Sequence, residues 1–135
     1  MRRRRPQQRR ADERGELVQV AQGRWRQLNV LHLRAGACRG GHLHVRTEEL
    51  FYVVSGRVRL EVRDGRTGRL SREDIMAGWC FAVRPGEEHR VWALQASVLA
   101  VLLSREYDPH RPDIAASGPQ DGSPTGLKKG ELSEA

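Results

Sequence analysis

Cysteine, long apolar runs and helical periodicity are all scarce in this chain, and each shortage narrows what it can be. Cys38 and Cys80 are the only cysteines in 135 residues and stand far apart. They are expected to be reduced, small buried side chains rather than parts of a disulfide framework. The longest apolar run, VLAVLL at 98–103, is far too short to span a bilayer. No apolar stretch follows the charged start as it would in a secretory leader, so no membrane association and a cytoplasmic location are expected. No segment sustains a 3.6-residue apolar period with caps, which argues against a helical fold.

Charge is unevenly spread. The first 14 residues, MRRRRPQQRRADER, hold seven arginines against two acids, and residues 105–135 run to Pro, Gly, Ser and charge. Neither stretch carries enough apolar surface to offset its ordering entropy. The organisation expected is a disordered arm over 1–14, one folded domain over 15–104 and a disordered tail over 105–135. An arginine-rich arm can bind nucleic acid or an anionic surface. The middle of the chain lacks the aromatic and basic interleaving that base stacking needs, so a solubilising arm is favoured over a nucleic-acid contact.

What is present is alternation. In RVRLEVRD (57–64), Val58, Leu60 and Val62 point one way and the charged residues the other, a strand with one buried face. DGRTG (64–68) is a turn signal ahead of another short segment. LVQVA (17–21), RQLNVLHL (26–33), LFYVV (50–54), WCFAV (79–83), HRVWAL (89–94) and SVLAVLL (97–103) are further strands. Seven or eight short strands with glycine-rich turns predict an all-β sandwich or closed barrel.

Two of the five histidines, His42 and His44, sit one residue apart beside the strand-like run. Positions i and i+2 of a strand share a face, so both imidazoles project to one side. Held close on an inward face they are costly if charged, and sharing a cation resolves that cost. Glu48 and Glu49 follow, and either can add a carboxylate from the neighbouring strand. His89 ends PGEEH at the mouth of another strand. Imidazoles with a carboxylate suit a borderline divalent cation: Zn, Fe, Mn, Ni or Co. His110 is read as solvated, His32 as packed or surface, and Trp25, Trp79 and Trp92 as core or pocket wall.

These residues resemble the cupins, small double-stranded β-helix (jelly-roll) barrels. Gly36, ACRGG, His42–Leu43–His44, VRTE, Glu49, LFYVVS and Gly56 match the first cupin motif in full. Gly78, WCFAV, Arg84–Pro85–Gly86, EE and His89 match the second, with Arg84 where a proline is usual and Ala93 where an asparagine often follows. The resemblance implies the ligand set His42, His44, Glu49 and His89, with Glu49 preferred over Glu48, and it implies a homodimer.

Upstream, DERGELVQV (12–20), WRQLNVLHLRAG (25–36) and RGGHLH (39–44) resemble sugar-nucleotide cupins, above all the metal-binding C-terminal domains of capsular-polysaccharide enzymes. Gln19 replaces the usual glutamate of the opening. This second resemblance implies an isomerase or epimerase acting on an activated keto-sugar, with a cation stabilising the enediolate. Glu48, Tyr52 and His32 are candidate bases, and Arg39, Arg46 and Arg84 could hold a diphosphate. A lyase, cyclase or oxygenase on another small molecule, or a non-catalytic binding cupin, are the alternatives.

Overall fold

A strand with period-two apolar spacing is stable where one face can be buried, and segment 57–64 obeys that rule: Val58, Leu60 and Val62 are at most 1% exposed. The same logic runs along the chain. In the computed structural model residues 3–116 are described, and Met1, Arg2 and the stretch from 117 onward lie outside them. The strands are β1 (Arg3–Arg4), β2 (Gln8–Asp12), β3 (Gly15–Gln19), β4 (Gln27–Leu33), β5 (Cys38–His44) and β6 (Glu49–Ser55). They continue with β7 (Arg57–Asp64), β8 (Leu70–Met76), β9 (Cys80–Val83), β10 (Glu87–Ala93), β11 (Ser97–Leu103) and β12 (Ile114–Ala116). Among the described residues there is no helix.

Two five-stranded antiparallel sheets carry the fold, one in the order β1-β9-β6-β11-β4 and the other β12-β5-β10-β7-β8. Their inner faces enclose one core, a jelly roll as expected. Phe51 and Phe81 stack at 4.5 Å between ring centroids within it, an arrangement that adds to simple area burial. Turn chemistry fixes the register. Asp64 Oδ1 accepts the backbone N–H groups of Arg66 (2.8 Å) and Thr67 (2.9 Å), closing the β7–β8 loop.

Within the described residues both terminal expectations need correction, while the expectation for 117–135 lies outside them. The arm over 1–14, expected to be disordered, contains β1 and β2. β1 pairs with β9, and β2 pairs with β3 in a separate hairpin. The arginines also find partners. Arg3 N–H donates to Glu73 Oε2 at 3.2 Å, Arg9 pairs with Glu16 at 2.8 Å, and the guanidinium groups of Arg3 and Arg5 lie 4.8 and 5.3 Å from the Trp79 ring centroid. Backbone pairing to a sheet edge needs no apolar side chain, which is why composition missed it. At the other end, part of the 105–135 stretch forms β12 on the free edge of β5. The folded unit therefore extends past 15–104 on both sides. Cys38 and Cys80 are both reduced thiols, outside any disulfide.

Gly56 joins β6 to β7 with φ +90°, in the left-handed region. A Cβ there would lie 2.5 Å from the Ala96 carbonyl oxygen and 2.7 Å from Ser97 Cα. Gly56→Ala should therefore destabilise the fold by about 2 kcal/mol or more, from strain and collision together. Denaturant unfolding checks this, and a loss below about 0.5 kcal/mol would contradict the packing described.

Candidate metal centre

Period two on β5 turns His42 and His44 to the inner face. Pairing of β5 with β10 then sets His89 directly beside His42. Glu49 opens β6 on the opposite sheet and is 7% exposed. Gly40 permits this close approach. It has φ +108°, and a Cβ would collide with the His89 carbonyl oxygen and come within 3.2 Å of Arg90 Cα. The register of β5 against β10 shifts at this point, with His89 opposite His42 and Arg90 opposite Gly40, a bulge whose extra residue is Gly41 of β5.

One ligand atom each from His42, His44 and Glu49 fall within 4.8 Å of one another. His89 joins them from β10: its Nε2 lies 3.6 Å from Glu49 Oε1, and its ring centroid is 5.3 Å from that of His42 and 6.2 Å from that of His44. The expected set of four thus converges, though His89 stands slightly outside the tightest three.

Electrostatics divide the imidazoles. Burial pushes the His89 pKa down to about 4, against the pull of Glu49. His42 is also lowered, by burial and then by the nearby His44. Burial likewise disfavours charge on His44, but its contact with the Glu49 carboxylate outweighs that and raises it. Burial of Glu49 favours the protonated acid, yet His44 first and His89 next hold its carboxyl below the usual carboxylate value.

The donors suit a cation. His44 Nδ1 faces the Asp113 carbonyl oxygen at 3.2 Å and His89 Nδ1 faces that of Glu87 at 3.4 Å. Each carbonyl assigns the N–H to Nδ1 and leaves the Nε2 lone pair aimed inward. His44 Nε2 abuts Glu49 Oε1, and that oxygen, buried, has no hydrogen-bond donor in acceptable geometry. Lone pairs opposing a carboxylate need a proton or a cation between them, so these residues fit a divalent ion held by three nitrogens and one oxygen.

The cluster forms one wall of a cavity of about 350 Å³, whose other lining residues include Gln27, Asn29, Arg39, Phe51, Tyr107 and Ile114. None of the three expected bases lines it. Tyr52 is one step out of phase with the inward Phe51, and His32 with the inward Leu31, so each points to the outer face. Glu48 lies in the turn before β6, where its backbone N–H donates to Ser104 Oγ at 2.8 Å. Of the three expected arginines, Arg39 lines the cavity while Arg46 and Arg84 lie exposed in turns outside it. Gln27 and Asn29 share the inner phase of β4, a signal the sequence did carry. Tyr107 and Asp113 had none, because nothing in the composition places their segment near the site.

This architecture and cluster define the chain as a cupin-fold protein. The Polysaccharide biosynthesis C-terminal domain family matches residues 10–115, and the chain belongs to that family. No curated protein sequence matches it. Among solved structures it is similar to dTDP-4-dehydrorhamnose 3,5-epimerase from Sulfolobus tokodaii, at 20% identity and TM-score 0.67, over 76% of this chain and 69% of that one. It is similar to the 3,4-ketoisomerase QdtA from Thermoanaerobacterium thermosaccharolyticum at 16% identity and TM-score 0.69, over 80% and 81%. It is also similar to the capsular polysaccharide assembling protein CapF from Staphylococcus aureus, at 20% identity and TM-score 0.63, over 82% of this chain and 34% of that one. The chain thus spans about a third of CapF. Among the described residues no helix is long and apolar enough to cross a membrane.

The lowered histidines give a signed prediction for the metal-free protein. Between pH 6.5 and about 4 the unfolded chain binds protons that folded His89 refuses, so stability falls as pH falls through that window. The loss should be about 3 kcal/mol for a shift of this size, and His42 adds to the same slope. His89→Gln should flatten the curve in denaturant titrations at stepped pH, and an unchanged slope would contradict the burial described.

Proposed function

We propose that the chain is a metal-dependent cupin acting as an isomerase or epimerase on an activated, nucleotide-linked keto-sugar. One observation carries the reading: three imidazoles and one buried carboxylate converge on the wall of a cavity large enough for a sugar ring. Family membership and the printed activities of the epimerase and ketoisomerase neighbours support the substrate class.

A divalent ion held by His42, His44, Glu49 and His89, whether Zn, Fe, Mn, Ni or Co, would supply Lewis-acid polarisation of a carbonyl. The chain's own residues supply the rest. Leu31, Phe51, Val91, Val101 and Leu103 form an apolar wall that excludes water from the ring face. Arg39, at the mouth, offers a guanidinium to the diphosphate. Gln27 and Asn29 are linked by a 3.1 Å hydrogen bond and present amides to sugar hydroxyls. Because Glu48, Tyr52 and His32 stand outside, the proton-transfer role falls to Tyr107 or to a member of the ligand set.

A homodimer belongs to the same proposal. On the outer face of the β4–β11–β6 sheet Leu28, Val30 and Val54 are 61%, 54% and 50% exposed, and β4 is an edge strand. A second copy covering that face would remove an exposed apolar patch and an unpaired edge together.

Three experiments test these readings. Elemental analysis of the wild type should find about one ion per chain, and His42→Ala and His89→Ala should each lose most of it; equal content in all three would remove the site. The wild type should also exchange solvent deuterium into a keto-sugar nucleotide panel, and no exchange across the panel would count against the activity. Sedimentation of the wild type should give a dimer that Val30→Glu converts to monomer, whereas a monomeric wild type refutes the interface.

A further inference from the structure

One residue of the C-terminal segment touches the ligand-bearing turn at five points. Asp113 Oδ2 accepts the backbone N–H of Arg46 at 2.9 Å, the backbone N–H of Thr47 at 2.8 Å and the Thr47 hydroxyl at 2.7 Å. Its carbonyl oxygen accepts the Val45 N–H at 3.2 Å and faces His44 Nδ1 at 3.2 Å. The turn it grips, 45–48, is the connection between two proposed ligands, His44 and Glu49. Thr47 is 4% exposed, so its donors depend on Asp113 rather than on water. The next residue, Ile114, pairs with His44 in the β12–β5 ladder, which holds the Asp113 carbonyl in place.

We propose that Asp113 is a positioning residue that fixes the ring orientation and tautomer of His44, so that the C-terminal strand is a working part of the centre rather than a loose tail. The carboxylate anchors the turn, and the anchored backbone presents its carbonyl to Nδ1. With the N–H committed there, Nε2 is left as the donor atom facing the cavity. The consequence for metal affinity rests on the reading of the site given under Proposed function. The orientation of His44 does not.

The test uses the full chain, labelled with nitrogen-15 at histidine, as wild type, Asp113→Asn and Asp113→Ala. Long-range proton–nitrogen spectra of the metal-free proteins at pH 8 report the tautomer. The wild type should show His44 with the proton on Nδ1, and Asp113→Ala should shift the population toward the Nε2–H form. Asp113→Asn, which keeps an acceptor oxygen but loses the charge, should fall between them, and it carries the test if the alanine variant fails to fold. Competition for zinc against a chelator should then show about a 10- to 100-fold loss of affinity in Asp113→Ala and a smaller loss in Asp113→Asn. Unchanged tautomer and affinity in the variants overturn the proposal. A wild type that binds no zinc defeats the metal reading of the site, and the tautomer comparison alone then decides whether Asp113 positions His44.

Discussion

The centre depends on one strand pairing. β5 and β10 lie side by side with His42 opposite His89, and they reach that register only because Gly40 has no side chain to meet the His89 backbone. Remove that approach and the two imidazoles separate, Glu49 loses His89 as a neighbour, and the cavity wall opens. Backbone hydrogen bonds and an absent methyl group therefore do the work that side-chain chemistry later uses. The bulge opposite His89–Arg90 belongs to the same device: its extra residue, Gly41, lies on β5, so Arg39 beyond it pairs with the buried Val91 and lines the cavity.

Around this pairing the two sheets divide the labour. The β5–β10 side supplies neutral nitrogen donors, and the β6 side supplies the carboxylate. Burial lowers His89 and His42 while the Glu49 contact raises His44. A site built this way disfavours charge on His89 and His42 and places its negative charge on one carboxylate. That combination of donors is what the proposed cation reading rests on.

The core strands were legible because most of them bury one face, and alternation in RVRLEVRD is the direct imprint of that burial. The four proposed ligands were legible because strand phase and motif spacing constrain them together. Tyr52 and His32 were named as base candidates without applying the same phase one residue further: if Phe51 and Leu31 face inward, Tyr52 and His32 face the other way. The terminal strands were invisible for a different reason. β1 and β12 are held by backbone pairing to sheet edges and by partners some 70 residues away, such as Glu73 for Arg3 and Thr47 for Asp113. Local composition carries no trace of such partners, and arginine-rich or proline-rich text looks solvated until an edge is there to receive it.

The jelly roll joins its early strands to its late ones: β4 pairs with β11, β5 with β10 and then with β12. During synthesis the HxH segment leaves the ribosome well before His89 exists, and longer still before Asp113 does. Until then the chain offers at most three of its four donors, on a strand without a neighbour and with an unbound turn. Non-local pairing of this kind is slow because loop closure precedes its reward. Under the proposed reading of the site, ion capture comes late in maturation, and a nascent chain stalled before residue 89 would hold a cation only weakly.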